Sequence, residues 1–271
     1  MARCLAVTKM QGTLNDFIVL DNRQLGIGDI ERLGRFLCNR HACVGADGLL
    51  VVEHSVIADV RMRVINVDGS EAEMCGNGIR CVVRYLAEEE MAQSGNGIAV
   101  KNVFSIETLA GIIETRVIAW EPEFLVRAAM GVPVIERRKL PFSDGVFVSL
   151  GNPHVVLFED AGIDTMDLEG AASLLEGSAL FPDGVNVHGA VKCGEHALEV
   201  RHWERGVGAT MSCGTGAVAC AVSAIARGLV QSPAEVRVPG GKLTVEWAGS
   251  GVAYMTGPAV RTFDANVYLS E

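Results

Sequence analysis

Two cysteines stand immediately before a glycine where helical patterning begins: Cys75 in Met74-Cys-Gly-Asn-Gly78 and Cys213 in Ser212-Cys-Gly-Thr-Gly216. Unsatisfied backbone N–H groups and the positive end of the helix dipole lower a thiol's pKa, so each reads as a base or a nucleophile with an enriched thiolate fraction. The adjoining glycines let the backbone approach a ligand, and the N–H groups form an anion site suited to a carboxylate. If the two segments are related by a pseudo-twofold axis, the thiols point at a shared cleft from opposite sides. One thiolate and one thiol on opposite faces of one carbon meet the needs of stereoinversion by two-base proton transfer, with the carbanion stabilised by both helix starts.

Other chemistries fit less well. Free cysteines are most often small buried hydrophobes, the expectation for Cys4, Cys38, Cys43, Cys81, Cys193 and Cys220. The eight cysteines form no CxxC pair, and the Cys75–Cys81 and Cys213–Cys220 spacings are wrong for zinc, so no metal is expected. A GxxxxGK[ST] loop is absent, and Gly26-Ile27-Gly28 is not followed by a third glycine in Rossmann spacing. None of the five lysines (9, 101, 139, 192 and 242) lies in the cysteine motifs, which weakens a pyridoxal phosphate reading. Asn15, Asn66, Asn152 and Asn186 each lie beside a strand-like segment and could bind substrate, although turn formation competes as an explanation. Glu204-Arg205 lies nine residues before Cys213, as Asn66 lies nine before Cys75. Arg205 suits a substrate carboxylate because a guanidinium binds it with two parallel hydrogen bonds; a solvated ion pair is the plainer alternative. His154 could equally be a satisfied loop histidine.

The elements that must position these residues read as one half repeated. Asn15-Asp-Phe-Ile-Val-Leu20 aligns with Asn152-Pro-His-Val-Val-Leu157, Asp47-Gly48-Leu49 with Asp183-Gly184-Val185, and the two cysteine motifs with each other. The offsets are 137, 136 and 138, about half the chain. Arg61–Val67 and His196–Trp203 alternate as strands. After Cys75, apolar Ile79, Val82, Val83 and Leu86 predict a one-sided helix ending at Glu88-Glu89-Glu90. After Cys213, Ala217 to Ile225 is apolar all round and stops at Gly228, which predicts a buried helix. Runs at Ile106–Val117 and Val236–Trp247 contain glycine turns, at Gly111 and at Gly240-Gly241, that predict hairpins. Trp120–Glu123 is the best boundary between halves.

Length and charge bound the rest. At 271 residues, with 49% hydrophobic and 21% charged residues, the chain has the make-up of a globular protein of one large or two compact domains. A formal charge of −10 repels phosphate backbones and anionic lipid, so neither nucleic acid nor a membrane is an expected partner. The N-terminus lacks a signal-peptide core and the longest apolar stretch is too short to span a bilayer. Together with unpaired cysteines, this predicts a cytoplasmic protein.

At these residues the sequence resembles the diaminopimelate epimerases, nearly end to end. The matching segments are Gly12-Thr-Leu-Asn-Asp-Phe17, Val44-Gly-Ala-Asp-Gly48, Asn66-Val-Asp-Gly-Ser70, Met74-Cys-Gly-Asn-Gly-Ile-Arg80, Gly151-Asn-Pro-His154, Phe181-Pro-Asp-Gly-Val-Asn186, Glu204-Arg-Gly-Val-Gly208 and Ser212-Cys-Gly-Thr-Gly216. The resemblance implies an α/β (α+β) fold of two pseudo-symmetric domains, each a mixed or antiparallel sheet wrapped around a central helix. It implies halves at 1–119 and 120–263, with the tail 264–271 returning to the first. It further implies a homodimer, free of cofactors, that interconverts LL- and meso-2,6-diaminoheptanedioate for lysine and peptidoglycan synthesis, with Cys75 and Cys213 as the acid/base pair. Substrate contacts would fall to Asn15, Asn66, Gly76, Asn77, Asn152, Asn186, Glu204, Arg205, Gly214 and Thr215, with His154 and Glu204 tuning the cysteines. Three positions depart from the family's commoner pattern: Leu14 replaces a glycine, Gly48 a polar residue and Ala209 a glutamate. The alternatives are a two-cysteine racemase of another amino acid, such as a proline-type enzyme, or a thiol redox protein.

Overall fold

The computed structural model describes residues 3–94, 101–136, 138–142 and 145–269. Met1 and Ala2 of the N-terminal segment, positions 95–100 of the first half, and the last two residues of the 264–271 tail lie outside the described residues. The chain divides into two compact units, Met1–Ala128 with Pro258–Glu271, and Ala129–Gly257.

The first unit opens with the hairpin β1 (Arg3–Gly12) and β2 (Asn15–Asp21), followed by α1 (Ile30–Leu37), β3 (Gly48–Glu53), β4 (Val60–Asn66) and a short β5 (Glu71–Ala72). Then come α2 (Gly76–Ser94), β6 (Val103–Thr108), β7 (Gly111–Ala119) and β8 (Leu125–Ala129). The helical connections put β2 parallel to β3 and β4 parallel to β6, whereas the short turns make β3–β4, β4–β5, β6–β7 and β7–β8 antiparallel.

Asp29 caps α1 by accepting from the Arg32 N–H, and the helix buries Ile30, Leu33, Gly34 and Leu37, one stripe at helical spacing. That stripe packs on Leu5, Val7, Ile18, Leu20, Leu49 and Val51, one face of the sheet. On the other face Leu50 meets α2 at Gly78. Burial on both sides explains why β3 reads Gly-Leu-Leu-Val-Val without polar alternation. Helix α2 differs from the one-sided expectation. Its first two turns, Gly76 to Val83, are buried on every side, and a partly exposed side begins only at Arg84.

The second unit repeats this plan strand for strand. After β9 (Val134–Glu136) come β10 (Gly145–Ser149), β11 (Pro153–Phe158), α3 (Leu168–Leu175), β12 (Asn186–Gly194), β13 (Ala197–Glu204) and β14 (Gly208–Thr210). Helix α4 (Gly214–Ala226), β15 (Ala234–Val238), β16 (Gly241–Glu246) and β17 (Tyr254–Pro258) complete it. β11–β12 and β13–β15 are parallel, and β10–β11, β12–β13, β13–β14, β15–β16 and β16–β17 antiparallel, the pattern of the first unit. The remaining strand, β18 (Val260–Leu269), runs antiparallel to β1, so the first unit draws its strands from both ends of the described sequence.

Helix α4 is buried from Gly216 to Ala224, as its all-apolar sequence predicts. Glycine, alanine and serine supply much of that surface, and it packs against β10, β11, β12, β13, β15 and β16. Both predicted hairpins form, with Thr108 paired to Gly111 and Val238 to Gly241.

Register corrects one of the three repeat matches. Phe17 pairs with Gly48, and His154 with Asn186, so the equivalent of Gly48 is Asn186 and not Gly184. Asp-Gly is a common turn dipeptide, and its recurrence at 183–184 falls in the loop before β12, two residues out of register with Asp47-Gly48. The eight cysteines form no disulfide; Cys38, Cys81 and Cys220 are buried as expected, but Cys4 and Cys193 are exposed. Cys4 stands on β1 opposite Tyr268 of β18, and Cys193 near the end of β12, where these strands meet solvent. Among the described residues no helix is long and apolar enough to cross a membrane.

Candidate active site

Each unit builds its cysteine site from the same three pieces: the start of the buried helix, the start of the second strand of the β1–β2 or β10–β11 hairpin, and the turn before the helix.

In the first unit Cys75 precedes α2, and the Gly78 N–H donates to its sulfur at 3.4 Å. Asn15, the first residue of β2, places its Oδ1 3.2 Å from Asn77 Nδ2 and 3.9 Å from Cys75 Sγ. That orientation is imposed from behind, because Asn15 Nδ2 donates to Asp47 Oδ2 at 2.9 Å. Asp47 is itself held by Arg40 Nη2 at 2.8 Å, and Arg40 also pairs with Asp16. Lys9 pairs with Asp16 and donates to the Gly45 carbonyl.

Beneath the cysteine lies Arg80, 0% exposed. It donates to the carbonyls of Gly76 and Pro258, to Asn77 Oδ1 and to Thr13 Oγ1. Burial pushes its guanidinium down to about 10. Asn66 donates from its amide to Ser70 Oγ in the β4–β5 turn.

The hairpin that delivers Asn15 is unusual. Thr13 and Leu14 have φ of 52° and 60°, left-handed at both positions of a two-residue loop, as a type I′ turn requires. Asn-Gly is the usual solution there. Leu14, the departure noted above, occupies a position that favours glycine.

In the second unit Cys213 caps α4 in extended conformation. Its sulfur lies 3.7 Å from Thr215 Oγ1, and Asn152 Nδ2 lies 3.5 Å from that same oxygen. Asn152 Oδ1 meets His154 Nε2 at 2.9 Å, so His154 reaches the cysteine end through Asn152 and Thr215. Glu204 accepts from Thr210 Oγ1 at 2.6 Å and faces Cys213. Burial, then the Glu204 carboxylate, hold the Cys213 thiol well above its usual pKa, against the opposing pull of the Gly216 N–H and Thr215. The helix start alone predicts a lowered value; desolvation and a nearby anion reverse it.

Asn186 is buried between two backbone groups, donating to the Pro153 carbonyl at 3.1 Å and accepting from Arg205 N–H at 3.1 Å, and so fixes the Glu204-Arg205 turn. Arg205 is exposed and donates to the Asp183 carbonyl at 2.7 Å. Ala209 sits exposed on β14 opposite Trp203. Gly76 and Gly214 are the buried first residues of their helices.

The first unit therefore gathers Cys75, Gly76, Asn15 and Asn77, and the second, by itself, Cys213, Gly214, Thr215, Asn152, His154 and Glu204. Sequence reasoning missed Asp47, Arg40, Arg80, His188 and His202. Only His202 carries a local signal, because it continues the inward alternation Leu198, Val200, His202 of β13. Among the described residues no group of three His, Cys, Asp or Glu is arranged to hold a metal ion.

The plan of two repeated α/β units is shared with solved structures of low sequence identity. A phenazine biosynthesis protein of the PhzF family from Bacillus anthracis aligns over 98% of this chain and all of its own, with a TM-score of 0.76 at 18% identity. A hydroxyproline epimerase from Agrobacterium vitis aligns over 99% of this chain and 94% of its own, with a TM-score of 0.68 at 17% identity. These likenesses define the fold class. Sequence is more specific: the family model for diaminopimelate epimerase matches residues 7–136 and 146–262. Diaminopimelate epimerase from Halothermothrix orenii is 38% identical over 290 residues, covering 98% of this chain and 99% of the relative. That from Desulforudis audaxviator is 39% identical over 277 residues, covering 95% and 97%. The chain belongs to the diaminopimelate epimerase family.

Proposed function

We propose that this protein interconverts LL- and meso-2,6-diaminoheptanedioate, in lysine biosynthesis, by moving a proton at one α-carbon. The observation that carries the reading is the duplicated device: in each unit a cysteine precedes a buried helix, with a backbone N–H three residues on directed at its sulfur. Stereoinversion needs one group to remove a proton and another to return one from the opposite face. Cys75 and Cys213 fill those roles. Cys213, held protonated by burial and Glu204, is the acid when Cys75 is the base, and the roles exchange in the reverse direction.

Asn15, Asn66, Gly76, Asn77, Asn152, Asn186, Gly214 and Thr215 are assigned to substrate, with Glu204 and Arg205. His154 and Glu204 tune the thiols. Two preorganised helix starts lend N–H groups to the substrate carboxylate and the developing carbanion. The two thiols supply the acid and the base, so the reading needs no pyridoxal phosphate. Cysteines held as thiols, without disulfides, suit a reducing cytoplasm, and the family resemblance implies a homodimer.

Incubation of the purified protein with LL-diaminoheptanedioate in D2O, with neither metal nor pyridoxal phosphate added, tests this. Solvent deuterium should enter one α-position as the meso isomer forms. Inhibition by EDTA, or a requirement for pyridoxal phosphate, would refute the mechanism.

A further inference from the structure

The second unit buries three imidazoles that the reaction above does not use directly. His154, His188 and His202 come from the adjacent strands β11, β12 and β13 and are each no more than 2% exposed. His154 Nδ1 lies 2.8 Å from His188 Nε2, and His188 Nδ1 lies 2.9 Å from His202 Nδ1. Strand register shows what stands at these positions in the first unit. Phe17, Leu50 and Val64 hold there the register positions that His154, His188 and His202 hold here. An ordinary apolar core has been replaced by a polar row.

The row has a direction. His202 Nε2 is buried and meets no hydrogen-bond partner among the described residues. A bare lone pair is tolerated in such a place better than an orphaned N–H. The proton of neutral His202 therefore sits on Nδ1 and is donated to His188 Nδ1. His188 must then donate from Nε2 to His154 Nδ1, and His154 from Nε2 to Asn152 Oδ1. Asn152 in turn donates from Nδ2 to Thr215 Oγ1, which frees the Thr215 hydroxyl proton for the Cys213 sulfur. Every link points the same way, and such chains strengthen cooperatively. The first unit is built the opposite way: Asp47 takes the amide protons of Asn15, so Asn15 turns an acceptor toward Cys75.

We propose that His188 and His202 are positioning residues that fix His154 and Asn152 so that this row ends as a donor on the Cys213 sulfur, supporting the thiolate left whenever Cys213 gives up its proton. No proton travels along the row; each link keeps its own. The groups facing that sulfur are the Glu204 carboxylate from β13, the Gly216 N–H and Thr215 hydroxyl from α4, and the imidazoles of β11, β12 and β13 acting through Asn152. Glu204 favours the thiol, and the row supplies the counterweight. Burial keeps His154 and His202 neutral, down to about 3, so the row holds its arrangement at neutral pH.

This rests on Cys213 being an acid–base group. Two measurements made without substrate separate a failure of the row from a failure of the epimerase reading. Nitrogen-15 NMR of histidine-labelled protein should show Nε2–H on His154 and His188 and Nδ1–H on His202; Nε2–H on His202 overturns the proposal. The pH dependence of Cys213 alkylation, followed by peptide mass spectrometry, should move to a midpoint higher by about one pH unit in His188→Leu and in Thr215→Val. Leu is the residue the first unit carries at the equivalent position, and Thr215→Val removes the last donor without touching the core row. Unchanged midpoints in both variants also overturn it.

Discussion

Gly216 of α4 lies against the face of His188: a Cβ at 216 would stand 2.5 Å from His188 Cε1 and 2.8 Å from its Nε2. The equivalent Gly78 in α2 would bring its Cβ to 2.8 Å from a methyl of Leu50. The two glycines occupy one place in the repeat, yet an imidazole tied by two hydrogen bonds cannot yield as a leucine tip can. Gly216→Ala should cost about 2 to 3 kcal/mol by overpacking, and Gly78→Ala less. Urea unfolding of the two variants decides it; equal losses would show that His188 is not held rigidly.

Leu14 has φ of 60° and is 52% exposed, so it carries backbone strain with little packing in return. A left-handed residue costs about 1 to 2 kcal/mol, while glycine loses about 0.5 to 1 kcal/mol of unfolded-state entropy. Leu14→Gly should therefore stabilise the first unit by roughly 0.5 kcal/mol, and Leu14→Val, β-branched at positive φ, should destabilise it. Denaturant midpoints that fall for glycine would remove strain as the explanation.

Asp47 reaches the site only through Asn15. Asp47→Asn exchanges a carboxylate that accepts from Asn15, the Asp16 N–H and Arg40 for an amide that cannot satisfy all three. A hydrogen bond to a charged group contributes about 1.5 to 3 kcal/mol, so kcat/KM should fall about 10- to 100-fold with the fold intact by circular dichroism. Parent-like kinetics would show that Asn15 orients itself.

The buried imidazoles set an acid limit. In the unfolded chain each titrates near 6.5, whereas in the fold burial lowers His154 and His202 to about 3 and moves His188 the same way. Below about pH 6.5 the unfolded state binds protons that the native state refuses, so stability falls as pH falls, by about 1.4 kcal/mol per pH unit for each group. The contribution is intact above that pH and is lost progressively toward pH 3. The urea midpoint should drop steeply from pH 7 to pH 5, and less steeply in His202→Val. A flat parent profile would mean that the native state takes up these protons.

What could be read from sequence was what is local or repeated. The cysteine–glycine helix starts, both glycine hairpins and the equivalence of Asn15 to Asn152 depend on short patterns, and the helix bounds and strand registers within each unit reproduce them. The misplaced match at Asp183-Gly184 arose because a turn dipeptide recurs without sharing a register. Arg80 reads as the polar side of a helix and turned out buried, because its guanidinium donates to two backbone carbonyls and two side-chain oxygens that no periodicity reveals. Asp47 behind Asn15, and His188 beside His202, become neighbours only when segments 32 and 14 positions apart are laid side by side.

Strand β18 also fixes an order of assembly. Thr8 of β1 bonds Asp264 of β18 across 256 positions, whereas the unit from Ala129 to Gly257 draws on one continuous stretch. During synthesis that later stretch can collapse as soon as it emerges, while the earlier one waits with one edge of β1 open until β18 has been made. The half that is translated first is therefore finished last, and in the interval its open edge is the part of the nascent chain most exposed to wrong pairing.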